Sequence, residues 1–505
     1  MSLHGPGLNV PLNRKVPGMR KASLALSICL SIYAASLYAA CKTEACKQAV
    51  AWKKGFTAIV LDDNISRNDY FAVLNAVKAN NGIVAIEAER VLLGWVPATS
   101  AGKVHAVRGV SAVLYEAVAS PAVLVQRHEA LAALSFFNRV RTGEYEDNVE
   151  TSLATHAEPL TGCTVMRPSP GHVQSENTLS ALDDFYTEGH SFLVQEAGRN
   201  VALADQPAAP PDVVSHHAPR VVTPQWGLFM QPYRNVTMRG RITVQLFRLD
   251  SDGTVDPNYY TWTNTDFATA HDQVYSAFTF WVDQATARGI TLSFRIETED
   301  PFIRWSRSFA PTPTHYEPIK HYATDDYLWV NDALAANGYA ASPVTQANVY
   351  DKNEAYNLAK AADPTYGPFD GSFSIYVIYN PGVEDRFMGG QRAYSVLGGP
   401  FEMVMWNSAG WGPYGLGNVI THETGHIFWA CDEYYYPGPP AEGCFSCTAC
   451  YYNVGPRNQI ATPWITNANC DNPTAAGSCD IPLVACMMRN NVYTLCPHTP
   501  GQIGW

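Results

Sequence analysis

Apolar and polar positions alternate with two different periods along this chain, and the changes of period mark its elements. Phe56-Thr-Ala-Ile-Val-Leu61 reads as a strand. Tyr70 to Lys78 reads as a helix, with Phe71, Leu74 and Val77 on one face and Asn80-Asn81-Gly82 as its stop. Strand-like pieces at Ile83 to Leu93 and Val110 to Val118 and a helix at Glu129 to Phe137 continue the alternation. Together they predict a small α/β domain with an antiparallel sheet over residues 41–145. The pattern then lapses. Pro168-Ser-Pro170-Gly171 and Pro207-Ala-Ala-Pro210-Pro211 favour extended chain, with one helical period at Leu179 to Leu203, so 146–225 reads as a connector.

From Trp226 the texture changes again. Strands are predicted at Arg241 to Leu249, Thr291 to Ile296, Phe373 to Tyr379 and Phe401 to Trp406. Helices are predicted at Asp266 to Ala285, Asp325 to Ala336 and Asn353 to Ala362. Strands alternating with helices make an α/β (α+β) domain, residues 226–505, built on a twisted mixed sheet with helices packed on it.

The stretch that bears chemistry is Thr421-His422-Glu423-Thr424-Gly425-His426, set in apolar flanks at Val419, Ile420, Ile427 and Phe428. Residues four apart on a helix stand on one face, about 5–6 Å apart at Cβ. His422 and His426 therefore suit a shared metal ion, and the expected ion is one catalytic Zn2+. Glu423 points beside such an ion, where its carboxylate takes a proton from water. Two buried histidines without a metal would each need other hydrogen-bond partners.

The longer run His-Glu-Thr-Gly-His-Ile-Phe-Trp-Ala-Cys-Asp-Glu-Tyr, His422 to Tyr434, resembles the metzincin metallopeptidases, in particular their IgA-peptidase-like branch, whose motif also runs into Asp-Glu-Tyr. The resemblance implies a zincin-like catalytic domain with Asp432 as third zinc ligand, six residues after His426. It also implies a methionine turn beneath the zinc. Cys486-Met487-Met488-Arg489-Asn490-Asn491 fits that turn with Met488 as the methionine; an ordinary core methionine pair fits it equally. Trp429 stands where metzincins carry glycine. A straight helix would leave Asp432 about 9 Å beyond His426, so the chain must bend between Trp429 and Asp432. His498 is a substitute ligand from downstream. Zincins also pair an extended substrate with an edge strand above the metal, and Gly399 to Trp406 is the expected strand. The 41–145 domain is loosely similar to inhibitor-type prodomains of exported proteases, and an independent interaction module suits it as well.

Composition narrows the class. The chain has 505 residues, 47% hydrophobic, with a formal net charge of -12 and no basic block beyond its N-terminus. That disfavours a nucleic-acid partner. Arg14, Lys15, Arg20 and Lys21 precede an apolar run from Ala22 to Ala40, the order of a signal peptide over 1–40. An uncleaved anchor has nearly the same length. Ala39-Ala40-Cys41 hints at a lipoprotein site. The expected location is secreted, cell-surface or periplasmic, with no stable membrane span after signal removal. Of 12 cysteines, eight lie from Cys431 onward, which in an exported chain reads as disulfides. One candidate bridge joins Cys486 to Cys496 across the methionine turn, and Cys444, Cys447 and Cys450 suit a structural zinc as an alternative.

The predicted activity is hydrolysis of peptide bonds by a secreted zinc-dependent endopeptidase acting on a protein or peptide substrate. The rival from another class is a non-catalytic surface, adhesion or glycan-binding protein with a structural metal, in keeping with 12% aromatic residues. A zinc hydrolase of another amide is a second rival. The sequence leaves the oligomeric state open.

Overall fold

The computed structural model describes residues 47, 50–125, 128–156, 237–298, 311–339, 343–346, 348–382, 386–388, 392–395, 398–407, 413–430 and 485–505. The signal run 1–40, Cys41, nearly all of the connector, Asp432 and the cysteines from Cys431 to Cys479 lie outside the described residues.

Ten strands form one mixed sheet. They are β1 (Phe56–Leu61), β2 (Ile83–Ala88), β3 (Val91–Trp95), β4 (Val110–Leu114), β5 (Gly240–Ser251), β6 (Leu292–Thr298), β7 (Thr312–Thr314), β8 (Gly371–Ile378), β9 (Ala393–Ser395) and β10 (Phe401–Met405). Their order is β4-β1-β3-β2-β6-β5-β8-β10-β9, with β7 paired to the end of β5. The N-terminal four are antiparallel, as predicted, and Ile83 to Leu93 proves to be a tight hairpin turning at Glu89 (φ 45°). The pairs β6–β5, β5–β8 and β8–β10 are parallel, and β9 closes the sheet antiparallel to β10. Gly399 to Trp406 was the expected edge. Its strand, β10, instead lies between β8 and β9, so the last strand among the described residues is β9.

The helices that matter are α1 (Arg67–Ala79), α2 (His128–Thr142), α3 (Glu144–His156), α4 (Asn264–Thr286), α5 (Tyr327–Ala336), α6 (Val349–Ala361), α7 (Leu416–Ile427) and α8 (Met487–Asn490). Strand alternation sorts them into layers. In β5, Ile242, Val244 and Leu246 join the core formed with Phe137 of α2, Tyr275 and Phe278 of α4 and Val419 and Ile420 of α7. Phe247 and Leu249 face the other way, onto Trp329 of α5 and Tyr350 and Tyr356 of α6. α1 packs Tyr70, Val73 and Val77 on Ile59, Leu61 and Leu92. It starts three residues before the predicted Tyr70 because the Ser66 hydroxyl caps it, accepting from Asp69 N–H at 3.1 Å.

The N-terminal strands share more than an edge with the rest. β2 runs parallel to β6, pairing Ile86 with Phe294. Across that seam Arg241 grips the buried Glu87 carboxylate with Nε at 3.0 Å and Nη2 at 2.7 Å. Burial alone would raise the Glu87 pKa; the Arg241 hydrogen bonds and charge outweigh it and hold the carboxyl below its ordinary value. A second bidentate pair joins Arg139 of α2 to Asp272 of α4, at 2.6 and 2.5 Å. Among the described residues no helix is long and apolar enough to cross a membrane.

Candidate metal centre

α7 is an interior helix: every residue from Leu416 to Ile427 is buried. Its flank meets α4, where Trp281 Nε1 donates to the Thr421 carbonyl at 3.2 Å and Gln273 Oε1 accepts from Gly417 N–H at 3.2 Å. Asn418 Nδ2 donates to the Asn491 carbonyl at 2.6 Å and ties the helix to the segment after α8. So the helix is held on two sides before any ligand is considered.

The two imidazoles are oriented by backbone. His422 Nδ1 lies 3.0 Å from the Met487 carbonyl and His426 Nδ1 lies 2.7 Å from the Ala430 carbonyl. A carbonyl only accepts, so each Nδ1 carries the proton, and each neutral ring keeps its lone pair on Nε2. The two Nε2 atoms face each other at 2.9 Å, with ring planes 77° apart. Two lone pairs at that distance repel unless a cation or a proton lies between them. Two nitrogens on a tetrahedral zinc, each at about 2.0–2.1 Å, stand about 3.3 Å apart, a few tenths of an ångström wider. A backbone carbonyl on the far nitrogen is also the usual support for a metal-ligating histidine. The donor set fits a borderline-soft divalent ion.

The bend required after His426 is present. α7 ends at Ile427, and Trp429 adopts φ 75°, the left-handed conformation. Ala430 N–H donates to the Gly425 carbonyl and Trp429 N–H to the His426 carbonyl, both at 2.9 Å, which is a Schellman stop. For a residue other than glycine this conformation costs about 1–2 kcal/mol. Packing compensates. The Trp429 indole is buried against Gly398, where a Cβ would come within 2.1 Å of its ring, and Gly398 N–H donates to the His426 carbonyl at 2.9 Å. The same bend brings the Ala430 carbonyl back to His426 Nδ1. Glycine's role at this position is taken by a tryptophan lodged against a glycine elsewhere.

Glu423 is fully buried, and its Oε2 accepts from Ser395 Oγ at 2.8 Å. Ser395 sits on β9, opposite Glu402 of β10. The Glu402 carboxyl accepts from Thr424 Oγ1 at 3.1 Å, and burial holds its pKa well above the usual carboxylate range. Burial therefore favours the neutral form of Glu402 behind the helix.

Beneath α7, Met488 lies against Gly425: a Cβ on that glycine would stand 2.6 Å from Met488 Sδ. The choice of Met488 over Met487 thus has a contact behind it, while Met487 contributes its carbonyl to His422. Cys486 and Cys496, the candidate bridge over this turn, are both buried, with their Sγ atoms 3.1 and 3.4 Å from Thr499 Oγ1. The turn is also held by hydrogen bonds, including Met487 N–H to the Thr494 carbonyl at 2.7 Å.

The structure brings together His422, Glu423, His426 and Met488. Asp432, two residues past Ala430, lies outside the described residues, as does Glu433. Among the described residues no three His, Cys, Asp or Glu side chains are grouped to share an ion, so His498 does not complete the set. Ser395, Glu402 and the two carbonyl supports carry no motif in the sequence and emerge only from the folded arrangement. Compared with protein-family models, with curated proteins and with solved structures, the chain matches none.

Proposed function

We propose that this chain is a secreted zinc-dependent endopeptidase of metzincin type. The observation that carries this reading is the convergence of His422 Nε2 and His426 Nε2 at 2.9 Å while both Nδ1 atoms are turned to backbone carbonyls. His422 and His426 would hold the ion, with Asp432, just past the bend, as the expected third donor. When bound, zinc supplies Lewis acidity toward water and toward a peptide carbonyl.

The chain's own residues account for the proton traffic. Glu423, adjacent to His422 on the same helix, takes the proton of the attacking water and hands it to the departing amine. Burial excludes competing solvent and strengthens each of these contacts. The backbone supports fix the ring planes, so little reorganisation accompanies the reaction. β9, the last strand of the sheet among the described residues and joined to Glu423 through Ser395, would pair with an extended substrate in place of β10. Export rests on the basic-then-apolar N-terminus.

The decisive experiment measures zinc content and casein hydrolysis for the wild type and for Glu423→Ala. The expected result is about one zinc per chain in both and cleavage in the wild type alone. A Glu423→Ala protein that still cuts casein, or a wild type that holds no zinc, contradicts the proposal.

A further inference from the structure

Building on that assignment of Glu423 as the base, we infer that Ser395 is the positioning residue that aims its carboxylate. The geometry is specific. Ser395 is fully buried at the end of β9, and its Oγ lies 2.8 Å from Glu423 Oε2 and 3.0 Å from the Glu423 carbonyl oxygen. A serine hydroxyl has one proton to donate. Facing these two acceptors on one residue, it gives that proton to the carboxyl oxygen, the nearer of the two. Once the carboxyl has taken a proton from water on Oε1, Oε2 remains an acceptor and the hydroxyl continues to donate to it. Ser395 thus supports the side chain before and after the transfer without moving a heavy atom. With Oε2 engaged, the transfer runs through Oε1.

The sheet gives the hydroxyl its leverage. Ser395 pairs across the strands with Glu402, and the Glu402 carboxyl is bound to Thr424, the residue after Glu423. The two residues of one rung of the β9–β10 ladder therefore contact two consecutive residues of α7, and Ser395 is the one bound to Glu423. The same hydroxyl sets the distance from the last strand to Glu423, so a main chain laid on β9 is positioned relative to its base.

The test uses full-length protein with Ser395→Ala and Ser395→Thr, measuring kcat and KM on a quenched peptide taken from a casein cleavage site, together with zinc content and thermal melting. Losing the hydrogen bond that aims the base is expected to lower kcat of Ser395→Ala roughly 10- to 100-fold. KM, zinc content and melting temperature should stay close to wild type, and Ser395→Thr, which keeps the hydroxyl, should recover most of the rate. The inference is overturned if Ser395→Ala keeps kcat within about twofold of wild type, or if its loss appears in KM, in zinc content or in melting. A threonine variant as slow as the alanine one also overturns it. An active wild type with an inert Glu423→Ala and a fully active Ser395→Ala sinks only the role of Ser395. A wild type with neither zinc nor cleavage sinks the metal reading and this one with it.

Discussion

Two sites in this molecule bury histidine among polar groups, and they are built in opposite ways. At the junction of α2, α4, β5 and β6, His271 has both ring nitrogens engaged by side chains. Arg248 Nη1 reaches Nδ1 at 3.2 Å, and Nε2 reaches Thr298 Oγ1 at 3.1 Å. Thr298 and Tyr275 in turn donate to the Glu129 carboxyl. That network is closed and structural. At α7, by contrast, each histidine is held through Nδ1 and the Nε2 atoms are directed at one another. Burial of a histidine therefore says nothing about metal binding. What separates the two sites is where the second nitrogens point: at a side-chain hydroxyl in one, and at each other in the other.

The sharpest way to break this contrast is to truncate one side chain at each site. His426→Ala should lose zinc and reduce peptidase activity by about a thousandfold or more, measured by metal analysis and casein cleavage. Truncating Glu129 at the closed site should leave zinc content unchanged. The cost should fall on stability instead: Glu129→Ala leaves Tyr275 and Thr298 without their carboxyl acceptor and should lose about 3 kcal/mol in denaturant unfolding.

The closed site should also show itself through pH. Burial pushes the Glu129 carboxyl from 4.5 up to about 7, against the hydrogen bonds from Thr298 and Tyr275. The folded chain thus keeps a proton that the unfolded chain releases. This contribution is full below about pH 4.5 and is lost as the pH rises toward about 7. Wild type should gain about 2 kcal/mol between pH 7 and pH 5 from this group. Glu129→Gln, which mimics the neutral acid, should flatten that slope in urea titrations at the two pH values; an unchanged slope means the carboxyl is ionised throughout.

The smallest expected effect sharpens the account of the bend. Trp429→Gly relieves about 1–2 kcal/mol of backbone strain but gives up roughly 3 kcal/mol of indole packing. The net loss should be about 1–2 kcal/mol, with the bend and the zinc retained. If the variant is instead more stable than wild type, the contact with Gly398 does not compensate for the left-handed conformation.

Much of the fold is legible in the one-dimensional pattern because strands and helices impose different periods. β1, β5, β6, β8 and β10 and helices α4 to α6 fall within a few residues of where apolar spacing puts them. Positions shift where a polar side chain overrides the period, as Ser66 does at the start of α1. The edge was misplaced for a different reason. β9 is three residues long, too short to show alternation, so β10 looked like the last strand.

The sequence by itself determined the spacing of His422, Glu423 and His426 on one helical face and the need for a bend after them, because both follow from the pitch of a helix. Only the tertiary structure decided which carbonyls turn the rings, that Trp429 makes the bend by lodging against Gly398, and that Ser395 holds the acid. Those contacts join residues far apart in the chain, and local periodicity cannot encode a partner that folding alone brings near.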